Sequence, residues 1–162
     1  MLRLATLQTT SHRGNAFMSA ETNKALVHQF LALWNRRDLA GMTRFWNPEM
    51  VHYTRTGEVY RPDQVLSLMM GFMQAFPDLE FTIDNIVAEG DYVTTRMTAR
   101  ATHTGDFMGV AATGRTISCS VMGLVHIVDG KIVEHWNIMD ELYLLQQLGL
   151  IPDAYLTAMA SS

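Results

Sequence analysis

At 162 residues, 48% of them apolar and 17% charged, the chain has the size and composition of one globular domain with a substantial core, which excludes a disordered segment. The formal net charge of -4, with no run of Lys and Arg to track phosphates, argues against nucleic acid as a partner. The single cysteine, Cys119, excludes an internal disulfide and reads as core, and the apolar stretch "VLSLMMGFMQAF" is shorter than the about 20 residues that span a bilayer.

The first 17 residues, "MLRLATLQTTSHRGNAF", carry no acid and no sustained period, unlike the rest of the chain. They read as an extended or mis-assigned start and are expected to be poorly ordered. A transit peptide would be longer and richer in Arg, so a cytoplasmic protein is expected. One domain is predicted over residues 18–162.

"SAETNKALVHQFLALWNRRD" places Leu26, Phe30, Leu33 and Trp34 at helical spacing, with Ser19 or Thr22 as N-cap. "DLAGMTRFWNPEM" predicts a short second helix through Leu39, Met42, Phe45 and Trp46, stopped by Asn47 and Pro48. "VHYTRTGEVY" alternates around a glycine and reads as a short strand with a turn. "RPDQVLSLMMGFMQAF" is a third helix, with Pro62 in its first turn and a stripe of Val65, Leu68, Met69, Phe72 and Phe76.

Beyond "PD" the period becomes two. "LEFTIDNIVAEG", "DYVTTRMTARATHTG", "RTISCSVMGLVHIVDG" and "KIVEHWNIMD" read as four strands, the last two joined by an Asp129-Gly130 hairpin turn. "ELYLLQQLGLIP" closes the chain as a helix ending near Gly149 and Pro152. Helices followed by an antiparallel meander predict an α+β fold, with helices covering one face of a curved sheet. Such an arrangement forms a cone whose interior is filled or hollow.

Asp140 is the most informative polar residue. Counting by twos, it shares a strand face with Trp136 and Ile138, and if Trp136 is core the carboxyl meets apolar surroundings. Such a setting raises a carboxyl pKa and suits a general acid or base. Asp140 equally reads as the N-cap of "ELYL", and the two roles are compatible. Exposure of a merely capping Asp140 would favour a binding module over an enzyme. His52, His103, His126 and His135 fall in strand-like segments, each by default solvent-facing or satisfied in the core. A two-residue Asp129-Gly130 loop would pair Cys119 with Asp140 and turn His126 away; a bulged three-residue loop would pair Ser118 with Asp140 and bring His126 alongside. The residues alone do not choose. Neither HxxxH nor HxH occurs, Gly105, Gly109 and Gly114 form no dinucleotide fingerprint, and no metal or cofactor is expected.

"AFPDLEF", "GDYVTTRMTARATHTGDFMG", "TGR", "DGKIVEHW" and "DELYLLQQLGLIP", in this order, resemble the SnoaL-like polyketide cyclases, cone-shaped α+β barrels of the nuclear transport factor-like superfamily. The resemblance covers about residues 20–152. It implies a cofactor-free intramolecular aldol ring closure, with Asp140 as acid/base, His126 assisting and Trp34 lining the pocket, which would favour the bulged register. The substrate-binding walls are then expected from Trp34, His52, Met69, Phe72 and Met73, together with His103, Trp136 and Ile138. Arg96 is expected to pair an acid such as Glu134.

The leading expectation is a cyclase, or a related isomerase or lyase, acting on an apolar polyketide-like carbonyl compound. The rivals are an epoxide hydrolase or ketosteroid-isomerase-like enzyme on the same scaffold, and a non-catalytic ligand-binding dimer. A homodimer through the outer sheet face is expected, resting on analogy and on Val121, Val125 and Ile127 as outer residues.

Overall fold

The computed structural model describes residues 19–151, so the expected N-terminal extension, residues 1–17, lies outside the described residues, as does Pro152. Helix α1 (Ala20–Asn35) starts where the Ser19 hydroxyl accepts the Thr22 backbone N–H at 3.1 Å, satisfying a donor that the first turn leaves unpaired. It buries Leu26 and Val27, each about 1.5–3 kcal/mol of apolar burial. Helix α2 (Leu39–Thr43) is capped by Asp38 and ends sooner than the spacing predicted. Trp46 instead opens strand β1 (Trp46–Tyr53), because its ring is needed in the core and an extended chain delivers it there. Pro48 is tolerated in that strand because the pairing of β1 with its neighbour breaks between Trp46 and Val51.

Strand β2 (Val59–Tyr60) folds back on β1 and sets Tyr60 opposite His52. Helix α3 (Pro62–Ala75) follows, with Pro62 in its first turn and the Gln64 side chain accepting the Arg61 N–H at 2.9 Å. Strands β3 (Glu80–Glu89), β4 (Tyr92–Thr102), β5 (Thr116–Val128) and β6 (Lys131–Met139) then form the predicted meander, and helix α4 (Glu141–Gln147) closes the described chain. The sheet order is β2-β1-β6-β5-β4-β3. β1 lies parallel to β6 while every other pair is antiparallel, so the sheet is mixed and remains open. The architecture is the expected cone-like α+β fold.

β4 alternates strictly, burying Val93, Thr95, Met97, Ala99 and Ala101 against the helices. Its partners across β5 are Val125, Gly123, Val121, Cys119 and Ile117, which therefore share the inner face. Val121 (2% exposed) and Ile127 (1%) are core residues, and Val125 packs against the core. This corrects the expectation that these three form an outer face. That face carries Met122, Leu124 and His126.

A bulge decides the orientation of β6. Asp129 (φ 49°) and Gly130 (φ 72°) make a two-residue turn that pairs Val128 with Lys131 and Ile127 with Ile132. The register then shifts, and His126 faces Glu134, so Val133 is an extra residue on β6. Because side chains alternate, one extra residue exchanges the two faces beyond it. Ile132 points inward, and so do His135, Asn137 and Met139, which pair with Val125, Gly123 and Val121. Trp136 and Ile138 point outward. The bulge lies in the strand, not in the turn, and Asp140 donates its N–H to Ser120, a partner neither sequence register predicted.

Candidate functional site

The inner face is apolar at both ends. One cluster centres on Phe76, Leu79, Ala99, Cys119 and Leu148, the other on Met42, Met50, Val93, Ile127 and Ile132, and Leu31 and Trp34 of α1 pack against both. Between them runs a polar strip from four strands: His52 on β1, His135 and Asn137 on β6, Gly123 on β5 and Thr95 on β4. His52 is 4% exposed and Thr95 5%, whereas Asn137, on the same face, is exposed, so the strip runs from the interior toward solvent. Gly123 keeps it open, since a Cβ there would stand 3.0 Å from the Thr95 hydroxyl.

The two inner histidines meet directly. Their Nδ1 atoms are 3.1 Å apart and their ring centroids 4.8 Å apart, because β1 and β6 set His52 and His135 side by side. Burial first, and then the neighbouring His52, lowers the His135 pKa to about 3. Burial likewise lowers His52, partly opposed by the His135 backbone. Both rings are therefore neutral imidazoles at neutral pH, and one Nδ1 must carry the shared proton while the other accepts it. Neither Nε2 has a side-chain partner among the described residues. The Trp34 indole N–H is buried and unpartnered, although its ring packs edge-on against Phe81 at 5.5 Å. An unpaired buried donor costs about 1–3 kcal/mol unless something accepts from it.

Of the other expected wall residues, Met69 is buried in the second cluster, while Phe72 packs 5.3 Å from Phe107 beside the first, and Met73 is half-buried on the same helix. His103 is fully buried between Phe76 and Phe107, at 5.1 and 6.3 Å. Its Nδ1 accepts the Thr113 backbone N–H at 3.3 Å, and its Nε2 is buried and unpartnered.

The structure does not bring His126 to Asp140. His126 lies on the outer face, its Nδ1 2.8 Å from Glu134 Oε2 and its ring stacked 4.4 Å from Tyr92. Asp140 stands opposite Ser120, six residues along β5, roughly 20 Å away at strand spacing. Trp136 is also outside, stacked 4.9 Å from Tyr53, whose hydroxyl donates to Glu134, and Ile138 is 68% exposed. Glu134 is thus occupied by His126 and Tyr53, and Arg96 binds Asn85 and Asp84 instead of Glu134. The bulge at Val133 accounts for the placement of Trp136, Ile138 and Glu134.

Asp140 is exposed and accepts the Tyr143 N–H at 3.1 Å as the N-cap of α4. Its charge reaches the inner-facing Cys119, whose thiol is pushed up to about 11, first by burial and then by Asp140. Among the described residues, no inner-facing strand position carries Asp or Glu. Among the described residues no three His, Cys, Asp or Glu side chains converge on a metal position. No described helix is long and apolar enough to cross a membrane. In the sequence His135 is one histidine among four and Asn137 belongs to no motif; the alternation of "HWNIM" beyond the extra residue Val133 is the signal that sets both on the inner face.

The aklanonic acid methyl ester cyclase AcmA of Streptomyces galilaeus is 27% identical to this chain over 107 residues, 65% of this chain and 72% of that protein. AclR of the same organism, described as "a putative hydroxylase", superposes with a TM-score of 0.78 at 41% identity, over 83% of this chain and 100% of that one. IdmH, a polyketide cyclase candidate from Streptomyces antibioticus, superposes with a TM-score of 0.73 at 31% identity, over 78% and 98% of the two chains. A sequence model of the SnoaL-like polyketide cyclases matches residues 24–148, and this chain belongs to that family.

Proposed function

We propose that the protein is a cyclase acting on an apolar polyketide-like carbonyl compound seated on the concave inner face. The observation that carries this reading is the neutral polar strip of His52, His135, Asn137 and Thr95 across an otherwise apolar floor. An apolar pocket with a few convergent polar groups is the usual form of a small-molecule site. The relation to aklanonic acid methyl ester cyclases supports the substrate class. Trp34 and the Met69, Phe72 and Met73 helix supply the apolar walls.

Asp140 is where the resemblance and the local geometry diverge. Its exposure and its bond to Tyr143 fit a helix cap, so the acid/base work is assigned to the floor. The test is turnover of aklanonic acid methyl ester, followed by mass spectrometry. A product of unchanged mass supports ring closure, and a gain of one oxygen atom supports the activity suggested by the description of AclR. Retained turnover in Asp140→Asn supports the floor; loss with the fold intact returns the acid/base role to Asp140.

The exposed cap also favours a second reading, a module that binds such a compound without converting it. Saturable quenching of tryptophan fluorescence with no product would support it. The outer face, with Met122 at 48% exposure and Ile138 at 68%, supports a homodimer. Sedimentation of Ile138→Glu tests this: a dimeric wild type and a monomeric variant are expected.

A further inference from the structure

We propose that His52 and His135 act as one bifunctional proton relay, taking a proton from the substrate carbon at one Nε2 and returning one to the substrate oxygen at the other. This deepens the cyclase reading and rests on it. The Nδ1 atoms share one hydrogen bond of 3.1 Å, so the ring that donates through Nδ1 has a lone pair on Nε2, and the ring that accepts carries its proton on Nε2. The pair therefore always presents one base and one acid. Neither of these outer nitrogens has a side-chain partner among the described residues.

The proton balance closes without any other group. Nε2 of the first ring removes the proton from the activated carbon as the carbon–carbon bond forms. The proton on Nδ1 of that ring crosses to Nδ1 of the second. The second ring then releases its Nε2 proton to the oxygen of the attacked carbonyl, which becomes the new hydroxyl. Both rings end neutral, with their tautomers exchanged, and the next turnover runs in the opposite sense or follows re-equilibration through water. The relay requires neutrality, because a protonated pair would set two Nδ1–H groups against each other. Burial supplies that condition, keeping both imidazoles from protonating. It also explains how an acid-free floor could serve an aldol reaction, which consumes no net proton.

The test has two arms. On the unliganded wild type, nitrogen-15 NMR of the histidine rings at neutral pH is expected to show one ring of this pair protonated on Nδ1 and the other on Nε2; two Nε2–H tautomers would overturn the relay. In turnover of aklanonic acid methyl ester, His52→Gln and His135→Gln are each expected to lower kcat by about 10²–10⁴-fold with little change in KM. The double variant should be no slower than the worse single one, as for residues acting as a unit. Losses that multiply, or either single variant within a few-fold of wild type, would overturn the proposal. Absence of wild-type turnover would sink the cyclase reading and the relay's role with it, whereas turnover that survives the substitutions sinks the relay alone.

Discussion

Replacing His135 by Gln should make the protein less sensitive to acid, and the size of the effect follows from burial. In the unfolded chain the imidazole titrates at its ordinary 6.5, while in the folded protein burial, with His52 beside it, holds the value near 3. The folded state therefore binds fewer protons than the unfolded state between those limits. Stability from neutral His135 is fully present above about pH 6.5 and is lost progressively as the pH falls toward 3. Between pH 7 and pH 5 a single group of this kind removes about 2 kcal/mol, less than the limiting slope of about 1.4 kcal/mol per pH unit would give, because its titration in the unfolded chain only begins within that interval. Titrating groups away from this pair contribute alike to wild type and variant and cancel in the difference. Urea denaturation of both proteins at pH 7 and pH 5 measures it. The wild type should lose about 2 kcal/mol more than His135→Gln across that interval. Equal losses would show that His135 protonates freely in the folded state, and would refute the buried neutral pair.

Three further substitutions probe the framework of the site. Gly123→Val brings a side chain against the Thr95 hydroxyl, within 3.0 Å at Cβ, and should cost about 1–3 kcal/mol in urea denaturation while abolishing ligand quenching of tryptophan fluorescence. Asp140→Ala should lose about 1 kcal/mol with its cap, whereas Asp140→Asn, which still accepts from Tyr143, should remain within a few tenths of wild type. Gly105→Ala would drive a methyl into the Gln74 carbonyl, separating the segment after β4 from the end of α3; a thermal scan should show a drop equivalent to about 1–3 kcal/mol. An unchanged melting temperature would mean that the segment does not press on α3.

The periodicities carried most of the architecture. A 3.6-residue stripe placed α1 and α3, alternation placed β3 to β6, and Asp129-Gly130 placed the last hairpin. These signals survive because they are local, each written by the burial of one face of one element. Local pattern was a poorer guide where a segment served two purposes. Phe45 and Trp46 fit a helical stripe, yet the core took Trp46 from an extended strand through Pro48.

The candidate site was half legible. Trp34 and His52 were named and lie against the interior, while Trp136, Ile138 and His126 were expected at the site and stand on the outer face. All three misplacements trace to strand register. The chain by itself determined the element order, the apolar floor, the place of the last hairpin turn and the residues available for chemistry. Only the tertiary structure decided which of them share a wall. Val133 as an extra residue reverses the parity of β6, and the parallel pairing of β1 with β6 sets His52 beside His135 across 83 residues of sequence. Alternation records which residues lie on the same side of a strand, but a bulge and a distant neighbour determine which side becomes the interior.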